Sequence, residues 1–171
     1  MALTVENGTG LADAESYTSV ADADTYHTAY GNPAAWSGAS TAVKETALRT
    51  ATQYLDAVYG LRWKGLRANE AQGLDWPRAN AEDYDGYVIA STSLPTNLAN
   101  ANSILALAHI NGDTLVPDIA DPSAVKRTRS KIAVLETEKE YFGGKSLYKK
   151  YTLVEKMLKD LIFSTAEMRR A

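Results

Sequence analysis

Thr41-Ala42-Val43-Lys44-Glu45-Thr46-Ala47-Leu48-Arg49-Thr50-Ala51-Thr52-Gln53-Tyr54-Leu55-Asp56-Ala57-Val58 is the stretch that decides the fold class. Val43, Ala47, Ala51, Leu55 and Val58 recur at steps of three and four, so they line one side of a helix and leave the charged residues on the other. The spacing predicts a helix over 41–58, ended by Gly60.

Working outward, three more segments read as helices. Ser19-Val20-Ala21-Asp22 has the form of a capping box, and the helix it starts should run to about Tyr30 and stop at Gly31. Pro95 opens a third helix, striped by Leu98, Ala101, Leu105 and Ala108, with Gly112 after its end. Thr152-Leu153-Val154-Glu155 predicts a capping box for a last helix, striped by Leu153, Met157, Leu158, Leu161 and Ile162. Lys126–Tyr141 alternates as a strand or hairpin around Ile132, Val134 and Leu135, and Gly143-Gly144 breaks it. The expected architecture is mainly α: a small bundle of about four helices with a β-hairpin or β element and an extended N-terminal arm. We expect a single domain over 1–171. Its parts would be an arm (1–18), a helical core (19–144) with a long loop at 60–93 and a β element at 125–141, and a C-terminal helix and tail (145–171).

The chain has 171 residues, no cysteine and a net charge of −3. A chain of this length buries roughly 70% of its unfolded surface and needs no covalent staples. The absence of cysteine removes disulfides, thiolate metal sites and thiol nucleophiles. Met1–Thr4 offers no basic start to a signal peptide, and Ile104–Ile110 is far short of the ~20 apolar residues of a membrane span. The charge is unevenly spread. Residues 1–122 hold 6 basic and 15 acidic residues, a balance of −9, whereas residues 123–171 hold 12 and 6, a balance of +6. Such a split suits a basic surface meeting an acidic one or a nucleic acid, or two solvated faces of one domain.

Motifs for chemistry fail one by one. Gly143-Gly144-Lys145-Ser146 ends like a phosphate-binding loop, but the required earlier glycine is Lys139. Glu82, Asp83, Asp85 and Gly86 resemble half a calcium loop, yet the first ligand position is Ala81 and the closing one Thr92. His27 and His109 have no glutamate at zinc-helix spacing, and no nucleophile elbow is present. The expectation is a protein without catalytic residues, cofactor or metal.

Two segments fit neither helix nor strand: Val5–Tyr17, with its turn glycines Gly8 and Gly10, and Leu74-Asp75-Trp76-Pro77-Arg78, preceded by Trp63-Lys64-Gly65. They carry a resemblance. Gly8–Tyr17, Ser19–His27, Ala51–Asp56, Trp63-Lys64-Gly65, Leu74–Arg78 and Val125-Lys126-Arg127 are similar, in order and spacing, to the DnaT-like proteins of tailed phages and prophages. The resemblance covers roughly residues 3–135. Its label implies single-stranded-DNA binding. Its place among phage morphogenesis proteins implies a head-to-tail connector, a ring usually of twelve subunits beneath the portal, with double-stranded DNA in the lumen.

Single-stranded-DNA binding calls for aromatics interleaved with cations so that bases can stack. Lys126–Lys131 contains no aromatic, so the expectation favours the connector, with the DNA-binding replication accessory as the alternative. In the connector reading, Leu11, Tyr17, Trp63, Trp76 and Arg78 touch neighbouring subunits. Lys126, Arg127, Arg129 and Lys131 form a basic strand facing DNA or a neighbour. Lys149, Lys150, Tyr151, Leu153, Met157, Leu161, Arg169 and Arg170 dock on the portal protein. A tail-side connector, stopper or tail terminator would be a further partner. The place of action would be the virion neck after synthesis in the host cytoplasm, with no membrane involved.

Overall fold

The computed structural model describes residues 2–115 and 151–163, and the backbone of two strands at 127–132 and 135–140. The chain divides into two compact units: Met1–Leu115 with Tyr151–Ala171, and Val116–Lys150. The first unit is helical, as expected, and the second contains a hairpin.

The first unit is organised by two helices. α1 (Val20–Ala29) begins where the sequence places it: Ser19 caps it, its Oγ accepting from the Asp22 amide and donating to the Asp22 carboxylate. A single turn, α2 (Ala34–Ser37), follows Pro33 and drives Trp36 into the core. α3 (Thr41–Tyr59) is capped by Ser40, whose Oγ accepts from the Val43 amide. It packs along α4 (Thr96–Ile110). Ala47, Ala51 and Ala101 are fully buried with Leu48, Leu55, Leu98 and Leu105. The small residues let the two backbones approach, and the leucines fill the space beside them.

The stripe predicted for α3 holds in the middle and fails at both ends. Val43 and Val58 are 47% and 43% exposed, while Leu48, Thr52 and Tyr59 are buried instead. The contact line on a helix is set by its partner, here α4, and drifts away from a strict three–four ladder. α3 ends at Tyr59 with Gly60 as its C-cap residue, as expected, and Gly60–Arg62 follows as a 3₁₀ turn. On α4, Ala108 is only half-buried, and Asn102, Ser103 and Ala106 join the buried set.

Residues 60–93 are not a bare loop. β1 (Leu66–Arg67) pairs antiparallel with β2 (Arg78–Ala79), and β3 (Ala81–Glu82) pairs antiparallel with β4 (Val88–Ile89). The N-terminal segment is not an extended arm either. It folds back on itself, with the Glu6 amide donating to Ser16 O and the Glu15 amide to Thr4 O.

α5 (Thr152–Met157) departs further from expectation. Tyr151, not Thr152, is its N-cap residue, and no side chain caps it. Leu153 is 62% exposed and Met157 half-buried, whereas Val154, Leu158, Leu161 and Ile162 are buried. Tyr151 decides the outcome. Its ring meets Tyr54 edge-on at 5.6 Å and its hydroxyl lies 3.2 Å from the Asp113 carboxylate, which fixes the entry of the helix.

In the second unit, β5 (Arg127–Ile132) pairs antiparallel with β6 (Leu135–Glu140), the hairpin form of the expected β element. Lys126, Val134, Gly143–Lys145, Lys149, Lys150 and the tail from Ser164 lie outside the described residues.

Leu48→Ala should cost about 2–5 kcal/mol in urea unfolding, as a buried leucine truncation does, and Val43→Ala no more than about 0.5 kcal/mol. Equal losses would mean that the α3–α4 contact line runs elsewhere.

Candidate functional site

The two irregular segments meet at one tyrosine. Tyr17, at the end of the N-terminal run, is buried, and its hydroxyl donates to Asp56 Oδ1 on α3 at 2.5 Å. The same oxygen accepts from the backbone amides of Asp75 (3.1 Å) and Trp76 (3.3 Å). The Asp75 amide also reaches Asp56 Oδ2 at 3.4 Å. One phenol therefore ties the first segment, α3 and the Leu74–Arg78 segment together. Burial pushes the Tyr17 phenol well up, and the Asp56 charge adds to the shift. Burial likewise raises the Asp56 carboxyl to about 7 from its ordinary 3.8; the Tyr17 bond opposes this rise and the Asp75 charge adds to it.

Each segment is then fixed locally. The buried Glu6 carboxylate accepts from the amides of Gly8 (2.9 Å), Gly10 (2.8 Å) and Leu11 (2.8 Å), so the run 6–11 wraps around its own acid. Gly8 sits at φ 99°, and a Cβ there would strike the backbone of Thr92. Asn69 donates to Thr9 O (2.7 Å) and the Gly73 amide to Leu11 O (2.9 Å), which docks this turn on the following loop.

Arg78 does the same work for the second segment. Its guanidinium donates to the carbonyls of Lys64 (2.7 Å), Gly65 (2.7 Å) and Asp75 (3.2 Å). Burial lowers its pKa from the ordinary value. A buried arginine spending its donors on backbone carbonyls is a brace for irregular chain. Trp63 and Trp76 pack edge-to-face at 6.0 Å, and Trp63 makes an isolated antiparallel bridge to Ile162.

A polar cleft of about 440 Å³ opens beside this centre, lined by Ala14, Glu15, Arg49, Thr52, Gln53, Asp56, Gly73 and Leu74. Arg49 closes one side through a 2.9 Å ion pair with Glu15, whose carboxyl that hydrogen bond holds below its ordinary value. Among the described residues, no group of three or more histidine, aspartate or glutamate side chains is placed to hold a metal ion. No described helix is long and apolar enough to cross a membrane.

The expected site residues are therefore placed differently from their assigned roles. Tyr17, Trp63, Trp76 and Arg78 are buried within their own chain, and Leu11 is half-buried, so these segments grip their own body rather than present those side chains to a neighbour. Tyr151 and Leu161 are also built into the first unit. The Lys64 amide donates to Leu161 O at 2.9 Å, and the Phe163 amide to Arg62 O at 2.8 Å. That segment is a structural strap, not a free docking peptide. Of its described apolar members, Leu153 and Phe163 are exposed. Lys149, Lys150, Arg169 and Arg170 lie outside the described residues.

The basic strand is paired along its backbone: the register sets Arg127 against Glu140, Arg129 against Glu138 and Lys131 against Glu136.

Sequence reasoning missed Trp36 and Asp24. Trp36 Nε1 and Lys44 Nζ each donate to Asp24 Oδ1 at 2.7 Å, and Lys44 lies 5.3 Å from the Trp36 ring centroid. It also missed Asn102, which bridges Ser16 (3.1 Å) and Thr52 (3.3 Å) in the core. His27 packs on Trp36, with its Nε2 3.1 Å from Ser103 O, and burial lowers its pKa. It is a core residue rather than a ligand.

A family model matches the whole chain, residues 1–171: "Putative DnaT-like ssDNA binding protein". The chain belongs to this family. No curated protein matches it significantly, and no solved structure does.

Two outcomes test the centre. Tyr17→Phe leaves the Asp56 carboxylate and two amides short of a partner, so it should cost about 1–3 kcal/mol in denaturant unfolding. Phenylalanine matching wild type would show that the phenol carries no load. The second outcome concerns pH. Between about pH 4 and 7 the folded chain holds a proton on Asp56 that the unfolded chain has released, so this group favours folding as pH falls through about 7. Relative to Asp56→Asn, wild type should lose stability as pH rises toward 7, by at most about 1.4 kcal/mol per pH unit. Parallel pH profiles for the two proteins would contradict this.

Proposed function

We propose that the chain binds single-stranded DNA through its basic C-terminal third, with the helical unit as the scaffold. The observation that carries this is the family match over residues 1–171. Charge supports the choice of region. The first unit holds 10 basic and 16 acidic residues, a balance of −6, and the second holds 8 and 5, a balance of +3. An acidic body repels phosphates, and its tryptophans are buried and offer no stacking platform.

In sequence, Arg127, Arg129 and Lys131 stand with no aromatic among them, whereas the stretch after the hairpin is rich in aromatics. Tyr141-Phe142-Gly143-Gly144-Lys145-Ser146-Leu147-Tyr148-Lys149-Lys150 interleaves aromatics with lysines, the composition that stacking on bases and tracking phosphates requires. Residues 141–150 lie outside the described part of the structure, and their sequence alone supplies this pattern.

The second reading is a phage head-to-tail connector. The resemblance to phage morphogenesis proteins favours it, and so does the opposition of an acidic unit to a basic one. In a ring, one face of a subunit meets a different face of the next, and opposite charges suit that contact. A twelve-fold ring, a portal partner, a tail-side partner and a place in the virion neck all belong to this reading.

Titration of a labelled thymidine oligonucleotide at low and high salt separates the two. DNA binding predicts affinity that falls with salt, a loss of about tenfold or more for Phe142→Ala with Tyr148→Ala, and a shallower salt slope for Lys149→Ala with Lys150→Ala. An absence of binding at low salt, together with co-purification with a portal protein, would reverse the order of the readings.

A further inference from the structure

The cleft of about 440 Å³ beside Tyr17 is walled by three separate parts of the chain, and its charges do not cancel. Arg49 already has an acid of its own: Glu15 lies at 2.9 Å, with Glu45 at 3.9 Å. Asp56 has no such partner. Among the described residues, no lysine or arginine forms an ion pair with it. Neutral donors hold it instead, the Tyr17 hydroxyl at Oδ1 (2.5 Å) and the Asp75 amide at Oδ2, at the long distance of 3.4 Å. A carboxylate has about four acceptor positions, so Oδ2 keeps capacity for a further donor. Burying an anion without a counter-charge is unfavourable, and the Asp56 carboxyl accordingly rises to about 7.

The rest of the lining suits a polar cation on an apolar stem. Gln53, exposed and one turn ahead of Asp56 on α3, adds a side-chain carbonyl. Ala14 and Leu74, both buried, add apolar carbon. The walls are set in advance of any contact. Gly73 sits so close to the N-terminal segment that a Cβ there would lie 2.7 Å from Ala12 O, and its amide donates to Leu11 O at 2.9 Å. A site already shaped loses less conformational entropy on binding.

We propose that this cleft binds an alkylguanidinium group, with Asp56 as its counter-ion. An anion would meet Asp56 and Glu15. A guanidinium is favoured over an ammonium for two reasons. Its planar fan of donors can reach Asp56 and Gln53 together, and its weaker hydration makes a half-buried site less costly to enter. An arginine side chain of a second protein and a small free guanidine both carry this group. The site belongs wholly to the first unit and does not rest on the DNA-binding reading.

The test is an NMR titration of the full chain at pH 8, where Asp56 is ionised, with ethylguanidinium and with its neutral counterpart ethylurea. Ethylguanidinium should shift the Asp56, Asp75 and Trp76 amide signals saturably at about 10 mM, a strength that a ligand of so few atoms allows. Ethylurea should bind about tenfold more weakly or worse. Asp56→Asn, which keeps an oxygen for the Tyr17 hydroxyl, should weaken ethylguanidinium binding by about tenfold or more. Gln53→Lys, at an exposed position, sets a tethered cation one turn from Asp56 and should block the probe to a similar degree. A glycine-flanked arginine peptide separates the sources. Binding about tenfold tighter than ethylguanidinium assigns the site to a protein's arginine, and equal or weaker binding to a small free molecule. Equal binding of ethylurea and ethylguanidinium would overturn the proposal. So would wild-type affinity in both variants, or no saturable shift at these three residues up to about 100 mM.

Discussion

The hydroxyl of Tyr17 is the point on which the irregular half of this fold depends. It donates to Asp56 and accepts from two successive amides of the Leu74–Arg78 segment. Helices α3 and α4 can pack by themselves, because their small and branched residues form a continuous seam. The segments at 5–17 and 60–79 have no such seam. They contain few ladder hydrogen bonds, and their backbone groups need partners from side chains. Glu6, Tyr17 and Arg78 supply these partners, each buried and each making three hydrogen bonds to backbone or carboxylate. Polar side chains thus do for the loops what apolar ones do for the helices.

This arrangement separates stability from contact. The aromatics of the first unit that looked most like binding residues, Tyr17, Trp63 and Trp76, are consumed in holding the body together. Tyr84 and Tyr87, by contrast, are exposed. Cations follow a similar division. Arg78 braces a loop and Arg49 pairs with Glu15. In sequence, seven of the 18 lysines and arginines follow residue 140, in the same stretch as Tyr141, Phe142 and Tyr148.

Local rules were enough for much of the fold. Ser19 and Asp22 announce α1 because a cap needs only neighbours in sequence, and Ala47, Ala51 and Leu55 announce the middle of α3 for the same reason. Partner-dependent features were not legible. Leu48 is buried and Val43 exposed because of where α4 lies. Thr152 loses the N-cap position because Tyr151 is pinned by Tyr54 and Asp113. The Glu6 cradle requires a carboxylate to fold beneath its own following residues, and no spacing rule signals that. Gly, Pro and Trp marked 5–17 and 63–78 as segments that grip, which is correct, but the sequence does not say what is gripped. The structure shows that it is the chain's own body.

Amide hydrogen exchange at Asp75 and Trp76 tests that account most directly. Both amides lie outside any strand or helix, and exposed loop amides open with almost no free-energy cost. If the Tyr17–Asp56 centre holds the segment, their protection should approach that of the buried α3 amides and fall in Tyr17→Phe. Exchange of both amides at rates typical of a free loop in the wild-type protein would contradict it.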